Sequence, residues 1–132
     1  MDFLPRLKNY IVNHVNLNAP IEAGLLSKNS KSVAVRETPG QVPDRYMDKG
    51  KIYQYNFQVL VKDPNYMTAS NVCNSIFQTI DGLPPNSIMS EDGSFLFITC
   101  RTYVTPNFVN EDEHHSYIFS AIFEAQLQQG GN

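Results

Sequence analysis

IYQYNFQVLVKDPNYMTASNVCNSIFQTIDG, residues 52–82, changes its apolar period part-way along. In the first half Tyr53, Tyr55, Phe57, Val59 and Val61 alternate with Gln54, Asn56, Gln58 and Lys62. A period of two gives a strand one apolar face and one wet face. Beyond Pro64 the apolar positions are Ala69, Val72, Cys73, Ile76, Phe77 and Ile80, the spacing of an amphipathic helix. Asp63 suits the N-cap, Pro64 the first helical position, and Gly82 before Pro84 and Pro85 the stop. A one-faced helix that follows a one-faced strand this closely packs back on it.

Working outward, Phe3, Leu4, Leu7, Tyr10, Ile11, His14 and Val15 recur on one side of a first helix, opened by Asp2 and with Pro5 in its first turn. SVAVRE at 32–37 alternates and is stopped by TPGQVP. Residues 16–32, including PIEAGLL, read mostly as loop. SFLFITCRTYV at 94–104 and SYIFSAIFEAQLQ at 116–128 read as a closing hairpin. In the second of these, Tyr117, Phe119, Ala121, Phe123, Ala125 and Leu127 alternate with the intervening residues. The fold class expected is α+β: an antiparallel or mixed four-stranded sheet with two helices on one face, in the order α-β-β-α-β-β, forming one domain over residues 1–132.

The chain has 132 residues, 42% of them hydrophobic and 17% charged, enough for a real core without metals or disulfides. A net charge of -3 with ten scattered basic residues argues against electrostatic capture of nucleic acid or an anionic membrane. No stretch approaches the roughly 20 apolar residues of a membrane span, and MDFLPRLKNY is unlike a signal peptide, so synthesis in the cytoplasm is expected.

Chemistry is hard to find. Cys73 and Cys100 lack a CxxC or an adjacent histidine and read as buried reduced thiols. NEDEHH at 110–115 contains oxygen and nitrogen ligands, but consecutive residues in a hairpin loop read as a solvated acidic tip rather than a metal site. No phosphate-cradling or nucleophile-elbow motif occurs, so neither cofactor nor catalysis is expected. If Phe95 and Phe97 face the helices, then Leu96, Ile98 and Cys100 face away, beside Ile118 and Ile122. An antiparallel sheet with one helical face should be polar on the other. Two readings of this patch stand: contact with another copy, or cover by the PIEAGLL segment. Arg36 and Glu37 form either an intersubunit or a surface ion pair. The segments ETPGQVPDRYMDKG and TPNFVNEDEHH are longer than usual hairpin loops, and long loops on a rigid sheet are common binding places.

The N-terminal amphipathic helix, the VRETPG strand end, YNFQVLVKDPNYMTASNVCNSIFQTIDGL and the two closing strands together resemble the minor capsid and tail-terminator proteins of long-tailed bacteriophages and their prophages, over residues 2–127. The resemblance implies a non-catalytic structural protein of the virion, at the tail end or neck, made in the host bacterial cytoplasm. It implies a homo-oligomeric ring, six-fold, that caps the tail tube and meets a head-completion or neck protein, with DNA passing through the centre without specific binding and no membrane involved. Leu96, Ile98, Ile118, Ile122, Arg36, Glu37, Asp44, Arg45 and Tyr46 are then candidates for subunit or tube contacts, and Glu111, Asp112 and Glu113 for a channel-facing acidic loop. Two alternatives are a ferredoxin-like regulatory or small-ligand-binding module that dimerises through its sheet, and a small hydrolase using His114 or His115 with Glu111.

Overall fold

A computed structural model of the chain describes residues 2–39 and 52–129. The elements are α1 (Phe3–His14), β1 (Ile21–Ala23), β2 (Ser32–Glu37), β3 (Ile52–Asp63), α2 (Tyr66–Ile80), β4 (Phe95–Glu111) and β5 (Tyr117–Gln129). The strands form one mixed sheet in the order β1-β2-β3-β5-β4. Among the described residues β1 and β2 run parallel, and the other pairings are antiparallel.

The period change at residue 63 is where strand becomes helix. Phe57, Val59 and Val61 are buried on one face of β3, and Ala69, Val72, Cys73, Ile76 and Ile80 are buried on one side of α2. The cap differs from the sequence expectation. Asp63 is still the last residue of β3, and its carboxylate accepts a hydrogen bond from Asn65 N at 2.7 Å. Asn65 is the true N-cap, its side-chain oxygen accepting from Thr68 N at 2.9 Å. Asp63 thus shapes the turn, and Asn65 satisfies the first orphan amide of the helix.

α1 buries Phe3, Leu7 and Ile11 on the same side of the sheet as α2. β5 contributes Phe119, Ala121, Phe123, Ala125 and Leu127 to that core by strict alternation. Asp2 opens α1 without capping it. Its carboxylate instead accepts from Ser90 Oγ at 2.7 Å, Glu91 N at 2.8 Å and Ser94 Oγ at 3.1 Å, which ties the start of α1 to the turn before β4. Desolvation pushes this carboxyl up, but the hydrogen bonds from Ser90, Glu91, Asp92 and Ser94 outweigh it and hold the group well below its ordinary 3.8. A carboxyl with a lowered native pKa contributes stability that is fully present above the unfolded value and lost as pH falls below it. The melting-temperature difference between the native sequence and Asp2→Asn is therefore expected to be constant above pH ~5 and to shrink steadily from pH ~4 downward in a thermal melt series. A difference that grows on acidification would refute this account.

Three features depart from the sequence expectation. The sheet has five strands, because Ile21–Ala23 in PIEAGLL pairs with Val33–Val35. β4 continues to Glu111, so most of TPNFVNEDEHH is strand, and only a short turn joins it to β5. Pro106 is accommodated because β4 is an edge strand, where a missing amide costs no ladder bond, and register shifts on either side absorb the irregular residues. Finally, Cys100 faces the core and not the far side. A register shift between Phe97 and Thr99 leaves Ile98 unpaired, so Phe97 sits opposite Leu127 and Cys100 opposite Ala125, both buried. One extra residue reverses the alternation beyond it.

Candidate assembly surfaces

Away from the helices the sheet carries hydrogen-bonded polar side chains. Arg36 Nε donates to Gln58 Oε1 at 2.9 Å, Gln58 Nε2 to Ser120 Oγ at 2.8 Å, and Arg101 Nε to Glu124 Oε1 at 3.0 Å. Ile118 and Ile122 lie on this face, half-buried, opposite Asn110 and Val104. Leu96 is exposed and lies opposite Gln128. Ten strand residues separate Gln128 from Ile118, roughly 34 Å along β5. The structure therefore does not join Leu96, Ile98, Ile118 and Ile122 into one apolar patch. PIEAGLL does not cover it either: its strand lies at the sheet edge beside β2. Arg36 and Glu37, adjacent on β2, point to opposite faces, Arg36 toward Gln58 and Glu37 level with Phe57. Asp44, Arg45 and Tyr46 lie outside the described residues.

The acidic tip divides by role. Asp112 organises the β4–β5 turn: its Oδ1 accepts from His114 N at 2.9 Å and Ser116 N at 2.8 Å, and its Oδ2 lies 3.6 Å from Lys62 Nζ. These amide bonds, from Ser116 first, together with the Lys62 ammonium hold its carboxyl below the ordinary range. Lys62 is itself buried and donates to Ser27 O at 2.8 Å, while Ser116 Oγ donates to Ser30 O, so the segment after β1 is clamped against the hairpin turn. Glu111 meets His115 Nδ1 at 2.8 Å, and Glu113 lies 3.8 Å from His114 Nε2; all four side chains reach solvent. The hydrolase pairing thus exists for His115 with Glu111, on an exposed turn where such pairs contribute little. Among the described residues no three His, Cys, Asp or Glu side chains gather as a metal site would require.

Sequence reasoning missed the aromatic group at the distal end of the hairpin. Tyr66, Phe108, Tyr117 and Phe119 pack with ring centroids 5.0–6.4 Å apart. Tyr66 and Phe108 remain 45% and 44% exposed, so the group is an open apolar surface at the start of α2. Its signal was present in Phe108 and Tyr117, but the long loop expected between the strands hid the fact that they approach each other. Both cysteines are buried free thiols, pushed up to about 12 by desolvation, with Asp81 adding to the rise at Cys100. Neither is a nucleophile at neutral pH.

Residues 25–129 match a family model described as bacteriophage tail terminator protein. The chain belongs to the bacteriophage tail terminator family. The match takes in β2 through β5 and both acidic tip and hairpin, so the surfaces described above are those of a structural tail protein, with its place in the virion tail or neck. The fold is similar to a chain in a solved structure titled "Virion of native gene transfer agent (GTA) particle", with a TM-score of 0.63, 11% identity, and 96% of this chain and 97% of that chain covered. No curated protein matches this chain in sequence.

Proposed function

We propose that the protein assembles as a six-fold ring that caps the finished tail tube, presents the surface that joins the head through a head-completion or neck protein, and lets DNA pass through its centre without specific binding. The observation that carries this reading is the family match across residues 25–129, which spans every strand but β1. A chain of the same fold in a phage-like virion particle supports it. The far-face residues Arg36, Leu96, Ile98, Ile118 and Ile122 serve subunit or tube contacts, as do Glu37 on the other face of β2 and Asp44, Arg45 and Tyr46 in the segment between β2 and β3. Glu111 and Glu113 present carboxylates toward the channel, repelling a polyanion so that it slides. Asp112 belongs to the same acidic loop but acts through the turn it holds.

Light scattering on a size-exclusion column over a wide concentration range, with electron images of the largest species, tests the reading. A closed ring is the expected result. A compact dimer at every concentration would replace it with the regulatory module, and carboxylates Glu111 and Glu113 on the outer wall of an imaged ring would remove their channel role.

A further inference from the structure

The two outer edges of the sheet differ in how they are covered. On β4 the segment after α2 caps the first part of the edge: Asn86 N donates to Phe97 O at 2.9 Å, Gly82 N to Cys100 O at 2.7 Å, and Asp81 Oδ1 accepts from Thr102 N at 2.9 Å. Beyond Thr102, among the described residues, no other element bonds to that edge as far as Glu111. On the other side of the sheet, β1 pairs with β2 and, among the described residues, with no strand outward. Unpaired edges are templates for another strand, although Pro106 has no amide to donate on the β4 edge.

The registers place these open edges at one level. Ala23 is opposite Val35, Val35 opposite Val59, and Val59 opposite Ala121. The residues flanking Ala121, Ser120 and Ile122, face Asn107 and Val104 on β4. Both edges also show a large apolar side chain there: Leu25, just after β1, is 74% exposed, and Tyr103 on β4 is 68% exposed. The chain directions agree as well. β1 and β2 run one way, β3 the other, β5 back again and β4 opposite to β5, so a β1 laid beside the β4 of a neighbour makes an antiparallel pair. Different surfaces that meet head to tail close into a ring only if the rotation carries no net translation, which two edges at one level satisfy.

We infer that the open edge of β4 from Tyr103 to Glu111 receives the β1 edge of a second copy, with Leu25 packing near Tyr103, so that the sheet continues from copy to copy. The inference rests on the ring reading and specifies its interface. Cross-strand neighbours bring Cβ atoms within disulfide range, and the native Cys73 and Cys100 are buried. Ala23→Cys and Thr105→Cys proteins, made separately, are mixed and oxidised, with Glu22→Cys mixed against Thr105→Cys covering the adjacent register. The expected result is a disulfide-linked heterodimer in at least one mixture. The double variant Ala23→Cys/Thr105→Cys, or its counterpart in the other register, then gives a ladder on a non-reducing gel that ends at the ring. A ring of full mass with no heterologous cross-link in any mixture overturns the inference and leaves the ring reading standing. A link of the Thr105→Cys protein only to itself overturns it in favour of two-fold edge pairing. Failure of the native protein to assemble by scattering or imaging at any concentration overturns both.

Discussion

Phe3→Ala lowers the stability of the chain by about 3–5 kcal/mol and its melting temperature by roughly 10–20 °C. Phe3 is fully buried, and its ring packs edge-on against Tyr55, Phe57 and Phe95 and parallel to Phe97. It is the point at which α1 is held to both β3 and β4. Removing it leaves a void walled by four aromatic rings on two strands, and rigid rings on a paired sheet cannot close inward as a flexible wall can. Leu4 next to it is only partly buried, so Leu4→Ala should cost much less. Chemical denaturation of both variants, compared at one temperature, decides the matter. Equal losses would mean that α1 is held by its whole length and that Phe3 is not its anchor.

Ile76→Ala should cost about 2–5 kcal/mol, the second large effect. Ile76 is fully buried in the stripe of α2 that also includes Ala69, Cys73 and Ile80. Phe77, one residue on, is turned about 100° around the helix axis and only packs against the margin of the core. Gln78 is exposed. The ordered series Ile76→Ala, Phe77→Ala and Gln78→Ala therefore tests the helix orientation as well as the packing. A substantial loss for Ile76, a smaller one for Phe77 and almost none for Gln78 is expected by thermal melting, since surface changes are usually within about 0.5 kcal/mol. A larger loss for the bigger Phe77 side chain would mean that α2 is rotated from the orientation described.

These effects follow residues whose burial was legible in the sequence. Phe57, Val59 and Val61 on β3, the stripe of α2 apart from Phe77, and the alternation of β5 from Phe119 to Leu127 are buried as their periodicity marks, because burial on one face is what created the periodicity. The candidate surfaces were less legible. Leu96, Ile98 and Cys100 read as one outward row, yet the unpaired Ile98 puts Cys100 into the core, and Leu96, opposite Gln128, lies far from Ile118. Asp112 read as a surface carboxylate like its neighbours, but Lys62, fifty residues earlier in the chain and at the end of another strand, draws it into the structure of the turn.

The amino-acid order by itself determined where strand gives way to helix, which side of each long element is apolar, and the absence of familiar catalytic motifs, since these depend on residues near one another in sequence. Only the tertiary structure decided that Ile21–Ala23 is a strand, that β4 runs through Pro106 to Glu111, and which lengths of edge are left open. A three-residue strand has too few positions to show a period, and a bulge or a bare edge is defined by what lies across from it. Hydrogen bonds between distant segments settle those features, and no local pattern records them.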